Sequence, residues 1–194
     1  MSDLFAEPND ATPLTPEERE GLIPTHVALR GELNELEQQN IIAAVAWAPR
    51  RRRDPLSIAF ALALHRRMFS DVWRWAGHYR TSDKNIGIDR WEIEPRLRQL
   101  IDDTRYWIDH QTYPADEIAV RFHHALVHVH PFANGNGRWS RLMADILVAT
   151  LGRPAFTWGR DDLRAVDDTR KEYIRALRAA DRHDFAALLI FARS

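Results

Sequence analysis

Apolar residues recur at helical spacing along most of the chain, and the breaks between them fall at turn-forming residues. Thr15-Pro16-Glu17-Glu18 starts a first helix, with a Thr cap, Pro in the first turn and acids behind it, and the helix stops near Gly21 and Pro24. Longer helices are predicted over Glu32–Ala48, on Leu33, Leu36, Ile41, Val45 and Trp47, and over Leu56–Ser70, on Ile58, Ala61, Leu62, Leu64 and Met68. Further helices fit Glu94–His110, Ala115–His130, Gly137–Leu151, Asp167–Ala180 and Asp184–Ala192, and Pro131 cannot continue the helix before it. Between Trp73 and Glu94 the helical pattern breaks. Lys84-Asn85-Ile86-Gly87 supplies turn chemistry there, so a small β-hairpin is expected near residues 80–92. The pattern predicts an all-α domain with one β-like insertion.

Composition narrows the function classes. The chain has 194 residues, enough to bury one core unaided. It has no cysteine, which excludes disulfides, thiolate metal sites and cysteine nucleophiles. The formal net charge of −1 gives no global field toward nucleic acid or an anionic membrane, and no stretch is apolar enough to span a bilayer. The N-terminus lacks a basic start and an apolar signal region, so a cytoplasmic protein is expected.

The candidate chemistry lies in His130-Pro-Phe-Ala-Asn-Gly-Asn-Gly-Arg-Trp-Ser-Arg141. Gly135 and Gly137 flank Asn136 directly before a helix, where a curled backbone can aim several N–H groups at one point beside the positive end of the helix. Arg138 and Arg141 are three residues apart, on one face of the first turn. Like charges there are locally unfavourable, and an anion among them relieves the cost. The segment therefore reads as a polyphosphate cradle, with His130 beside it as a general base. Taken singly, the same residues describe only a capped helix–turn–helix with solvated arginines.

This segment resembles the Fic family motif, which has His, Phe, an acid, Gly-Asn-Gly-Arg and a final Arg at these spacings. Phe69-Ser-Asp-Val-Trp-Arg-Trp-Ala-Gly-His-Tyr-Arg80 is similar to the family's lead into its flap, Phe122–His130 to its motif helix, and Gly31–Glu37 to an early helix. The whole resembles the subgroup called mobile mystery protein B. The resemblance implies a Fic fold over residues 31–194, preceded by an arm and short helix over 1–30. It implies AMP transfer from ATP to a Ser, Thr or Tyr hydroxyl of a target protein. His130 would take the proton. Gly135, Asn136 and Gly137 would hold the α-phosphate region, and Arg138 and Arg141 the outer phosphates. Lys84, Asn85, Ile86 and Gly87 would form a flap that pairs with target backbone. A small antitoxin, or a helix-turn-helix protein acting in trans, is the implied regulatory partner.

Asn134 stands where the family carries Asp or Glu for the nucleotide's Mg2+. A neutral amide is a poorer ligand for this hard cation. Mg2+ is thus expected to bind more weakly, and transfer of another phosphate-containing group, or a catalytically weak nucleotide-binding module, stays open. The family's inhibitory pattern, Ser/Thr, three residues, Glu, then Gly or Asn, is absent as written; Glu32 and Glu35 are the acids considered as partners for Arg141. His124 and His128 have metal-pair spacing, but Ala125 replaces the Glu of a zinc protease motif. Arg50–Arg53 reads as a solvated loop, and Trp139 is equally suited to the core or to the cleft.

Overall fold

The computed structural model describes residues 4–5, 13–48, 53–159 and 166–194. Most of the predicted irregular arm and Arg50–Arg52 of the basic run lie outside the described residues. The helices are α1 (Pro16–Arg19), α2 (Arg30–Trp47), α3 (Ile58–Phe69), α4 (Ile93–Asp109), α5 (Ala115–Val129), α6 (Asn136–Thr150), α7 (Val166–Ala180) and α8 (Ala186–Arg193). Their starts follow from local chemistry. Thr15 and Glu18 form a reciprocal capping box on α1, and the Ser57 side chain accepts the Phe60 N–H to open α3. Glu32 accepts the N–H groups of Ala28 at 2.9 Å and Leu29 at 3.1 Å, so it caps α2 and does not reach Arg141.

The motif rests on the α5–α6 hairpin. α5 packs against α4, α6 and α8, while α3 braces α6 from the other side and α2 lies on α3. α5 buries Ile118, Val120, Phe122, Leu126 and Val129, and α6 buries Trp139, Met143, Leu147 and Val148. Each large apolar side chain so buried stabilises by roughly 1.5–3 kcal/mol, which makes this hairpin a rigid support. Trp139 belongs to the core: it is 0% exposed, and its indole N–H donates to the Ala61 carbonyl at 3.0 Å.

The expected hairpin at 80–92 is not formed. Residues 81–89 run as bends and Arg90–Glu92 make a single 3-10 turn. An isolated antiparallel bridge, Leu22 with Trp73, joins the N-terminal segment to the stretch before the loop. Among the described residues no helix is long and apolar enough to cross a membrane.

Candidate functional site

His130 ends α5 in the left-handed conformation, at φ 51° and ψ 61°. A non-glycine residue there costs about 1–2 kcal/mol, so its surroundings must hold it. Two contacts from one residue do so. The Arg80 N–H donates to the Pro131 carbonyl at 2.9 Å, and Arg80 Nε donates to the His130 carbonyl at 2.7 Å. Burial, then the Arg80 guanidinium and the Lys84 ammonium, push the His130 imidazole down to about 4, with the Val127 backbone pulling the other way. The ring is therefore neutral at physiological pH, the form a general base requires.

The turn after His130 is braced from beneath. Phe132 is 0% exposed and stacks on His65 with ring centroids 3.6 Å apart. His65 Nε2 donates to the Asn134 carbonyl at 3.1 Å, and its Nδ1 accepts the Gly77 N–H at 3.0 Å. Desolvation pushes this buried imidazole down to about 3, so it stays neutral and bridges the two turns. Gly135 has φ +79°, and a Cβ there would come within 2.5 Å of the Phe69 ring. Only glycine lets the chain enter α6 so close to α3. A Cβ at Gly137 would meet nothing within 4 Å, so packing makes no demand for glycine at that position.

The Asn136 side chain is committed to the turn. Its Oδ1 accepts the Phe132 N–H at 3.0 Å and its Nδ2 donates to the Phe132 carbonyl at 2.8 Å, in a 2% exposed position. Asn136→Ala leaves both buried backbone groups without these partners, and should cost about 2 kcal/mol and lower Tm by about 4–8 °C. Thermal denaturation checks this; an unchanged Tm would mean that the turn holds without the brace.

The two arginines share a helix turn but not a direction. Arg138 Nη1 donates to Glu37 Oε2 at 2.6 Å, and its guanidinium lies 4.9 Å from the Phe69 ring centroid. Glu37, on α2, is 3% exposed and also accepts the Trp73 indole N–H at 2.7 Å. Arg141 instead donates from Nε to the Gly137 carbonyl at 3.1 Å and lies 5.2 Å from the Tyr173 ring centroid on α7. The acid that reaches the motif is thus Glu37 and its partner is Arg138. Glu35 is exposed on α2, and Glu32 is occupied at that helix's cap.

The loop that follows Arg80 closes over His130. The Gly87 backbone lies against His130, since a Cβ on Gly87 would fall 2.6 Å from the His130 Cβ. Ile86 is 39% exposed and Asn85 is exposed, whereas Lys84 is engaged: it donates to the Pro13 carbonyl at 2.9 Å and pairs with Glu18. Ser82 Oγ donates to the same carboxylate at 2.7 Å. A cavity of about 240 Å3 lies beside this loop, between residues 13–16 and Asp83–Asn85, and not at the motif turn. Two further histidines on α5 have structural partners: His123 Nε2 contacts the Tyr173 hydroxyl at 3.0 Å, and His124 Nε2 contacts Asp181 at 2.8 Å.

Comparison with known proteins adds an independent observation. The sequence pattern of the Fic/DOC family matches residues 55–148, which span the His65 brace, the loop and the whole motif. The chain belongs to the Fic/DOC family. It is 30% identical over 142 residues to the protein adenylyltransferase fic-1 of Caenorhabditis elegans, covering 69% of this chain and 26% of that protein. The chain spans about a quarter of the length of the two nematode relatives it matches. Among solved structures, Fic-1 from C. elegans aligns with a TM-score of 0.67 at 22% identity, over 90% of this chain and 51% of that one. BepC from Bartonella tribocorum, solved with bound AMPPNP, aligns with a TM-score of 0.67 at 17% identity, over 92% and 97%. The architecture is a Fic fold.

Within this Fic fold, the structure brings His130, Gly135, Asn136, Gly137, Arg138 and Arg141 into one turn and the helix start that follows, with Gly87 against His130. It draws Lys84 away toward Glu18 and Arg138 toward Glu37. From sequence, Glu18 reads only as a helix-start acid, and Arg80, His65 and Glu37 carry no individual role. Their signal is tertiary, because each acts on a partner at least 50 residues away in the chain.

Proposed function

We propose that this chain is a Fic-type protein adenylyltransferase that moves AMP from ATP to a Ser, Thr or Tyr hydroxyl of a target protein. The observation that carries the reading is the meeting of three parts at one place. A neutral His130, a helix start shaped by Gly135 with open space at Gly137, and the loop backbone at Gly87 adjoin one another. The helix start and Arg141 suit the phosphates. The exposed part of the loop suits a strand-like target segment, with Asn85, Ile86 and Gly87 rather than Lys84 available to it.

In the reaction, the target oxygen attacks the α-phosphorus and its proton passes to His130. The bond to the bridging oxygen breaks and pyrophosphate leaves. Positioning and charge neutralisation supply most of the catalysis in such a step. Residues 1–30 are assigned as an N-terminal arm and short helix, whose Glu18 holds the loop at Ser82 and Lys84, and residues 31–194 as the Fic transferase domain. A small regulatory partner, as in a toxin–antitoxin pair, belongs to this same reading.

Asn134 does not fit a protein-held Mg2+. Its side-chain oxygen is neutral and already accepts the Gly135 N–H at 2.6 Å. Asn134→Asp should introduce a carboxylate at this point and make transfer at least about tenfold more responsive to Mg2+. Rates with Mg2+ and with EDTA in both proteins check this, and an equal response in both would remove Asn134 from the metal argument.

Labelled ATP incubated with the protein and cell lysate, followed by mass spectrometry of the labelled species, tests the reaction itself. An added adenylyl mass on a hydroxyl side chain is expected. A different added mass would favour another phosphate-containing donor. Tight ATP binding without any product would favour the silent nucleotide-binding module.

A further inference from the structure

Arg80 has an enclosed guanidinium, with its side chain 0% exposed, and its ion pair with Asp83 is long, at 3.6 Å. It donates instead to backbone carbonyls. Nε goes to His130 at 2.7 Å, Nη1 to Ser82 at 2.8 Å, and Nη2 to Ile88. Its own N–H goes to Pro131 at 2.9 Å. Ser82 and Ile88 bound the loop, while His130 and Pro131 carry the base and the residue that follows it. One planar fork therefore ties both ends of the loop to the backbone of the base, a geometry that an ammonium group cannot reproduce. Gly87 completes the contact, because a Cβ there would fall 2.6 Å from His130 Cβ and 3.2 Å from Arg80 Nη2.

We propose that Arg80 is the positioning residue for the His130 imidazole, coupling it to the 82–88 loop so that the base and the loop that presents the target hydroxyl keep one register. The inference rests on the reading of His130 as the base. The hydrogen bonds of Arg80 go to Ser82, Ile88, His130 and Pro131, away from the start of α6 and Arg141, so its loss should act on the base and the target and leave the proposed phosphate contacts alone. After burial, Arg80 also disfavours the protonated ring. The positive groups acting on His130 are Arg80 and Lys84, and Arg80 in turn is surrounded by Asp83, Glu18, Asp89 and Arg90.

The test compares wild type with Arg80→Gln, Arg80→Lys and Gly87→Ala. The His130 imidazole is titrated by NMR in isotope-labelled protein, ATP affinity is measured by calorimetry, and transfer is followed as kcat and KM for the protein acceptor. In Arg80→Gln the imidazole titration point should rise by about one unit as a positive neighbour is removed. Arg80→Lys should keep the titration near wild type. Both should lower kcat by at least about tenfold, with ATP affinity within about threefold, because only the fork geometry is lost in the second. Gly87→Ala should lower kcat and raise the acceptor KM by wedging the loop from the ring. An unmoved titration point in folded Arg80→Gln would overturn the proposal, as would transfer that falls only in proportion to the folded fraction. If Arg80→Gln does not fold, Arg80→Lys and Gly87→Ala decide: wild-type kcat in both would also overturn it. If wild type transfers nothing, the functional reading fails, and the NMR titration still tests Arg80 separately.

Discussion

Replacing His130 with alanine is expected to lower AMP transfer by about 10²–10⁴-fold, the usual contribution of a positioned general base, with ATP affinity changed by less than about threefold. The separation follows from the fold. The imidazole closes α5, whereas the phosphate groups are expected at the start of α6 and at Arg141. The variant should fold, since the turn beneath the ring is held by Phe132, Asn136 and His65. The pH profile provides a second check. Burial, Arg80 and Lys84 hold the folded imidazole at about 4, well below the usual histidine range. The competent form is the neutral one, so activity is lost as pH falls through that value. For kcat/KM, which reports the free enzyme, wild type should stay flat from neutral pH down to about pH 5 and then fall toward tenfold per pH unit below about pH 4. Bound polyphosphate favours the imidazolium, so the corresponding limb in kcat should lie at higher pH. Equal labelling by wild type and variant would remove His130 from the chemistry.

Much of the fold is legible in the sequence because helix ends are written in local chemistry. Thr15-Pro16, Ser57, Pro131 and Gly135 each act within a few residues, and the predicted helices match the observed ones within about two residues at most ends. The loop at 80–92 was misread for an identifiable reason. Lys84-Asn85-Ile86-Gly87 has turn chemistry, but a hairpin also needs a ladder. The Arg80 guanidinium takes the Ser82 and Ile88 carbonyls, and the Asp83 side chain takes the Arg90 N–H at 3.1 Å. Groups that would have paired across strands are used by side chains instead.

The candidate site was legible as a segment, but its tertiary assignments were not. Asn136 reads as a nucleotide ligand beside two glycines, yet burial turns its amide onto Phe132. Arg138 and Arg141 have the spacing of one helix face, but long flexible side chains follow their partners, and those partners lie on α2 and α7. Periodicity cannot reveal a carboxylate 101 residues upstream of the arginine that it binds.

That carboxylate carries the second large prediction. Glu37→Gln should raise ATP affinity by about 10–100-fold. For Arg138 to meet a phosphate it must leave a carboxylate that is 3% exposed, and Glu37 would then keep a buried charge with only the Trp73 N–H beside it. A hydrogen bond between charged groups contributes about 1.5–3 kcal/mol, which is roughly one to two powers of ten in affinity. Glutamine is the informative replacement. Its oxygen can keep the Trp73 bond and its volume is unchanged, so the core beside α2 stays packed, while the charge that detains Arg138 is gone. Calorimetric ATP titrations of wild type, Glu37→Gln, Arg138→Ala and the double variant close a cycle that isolates the pair. If Arg138 is the group released, the gain from Glu37→Gln should vanish in the Arg138→Ala background. A gain that survives there would assign the effect to loosening around Trp73, and no gain in either background would mean that the pair does not oppose nucleotide binding.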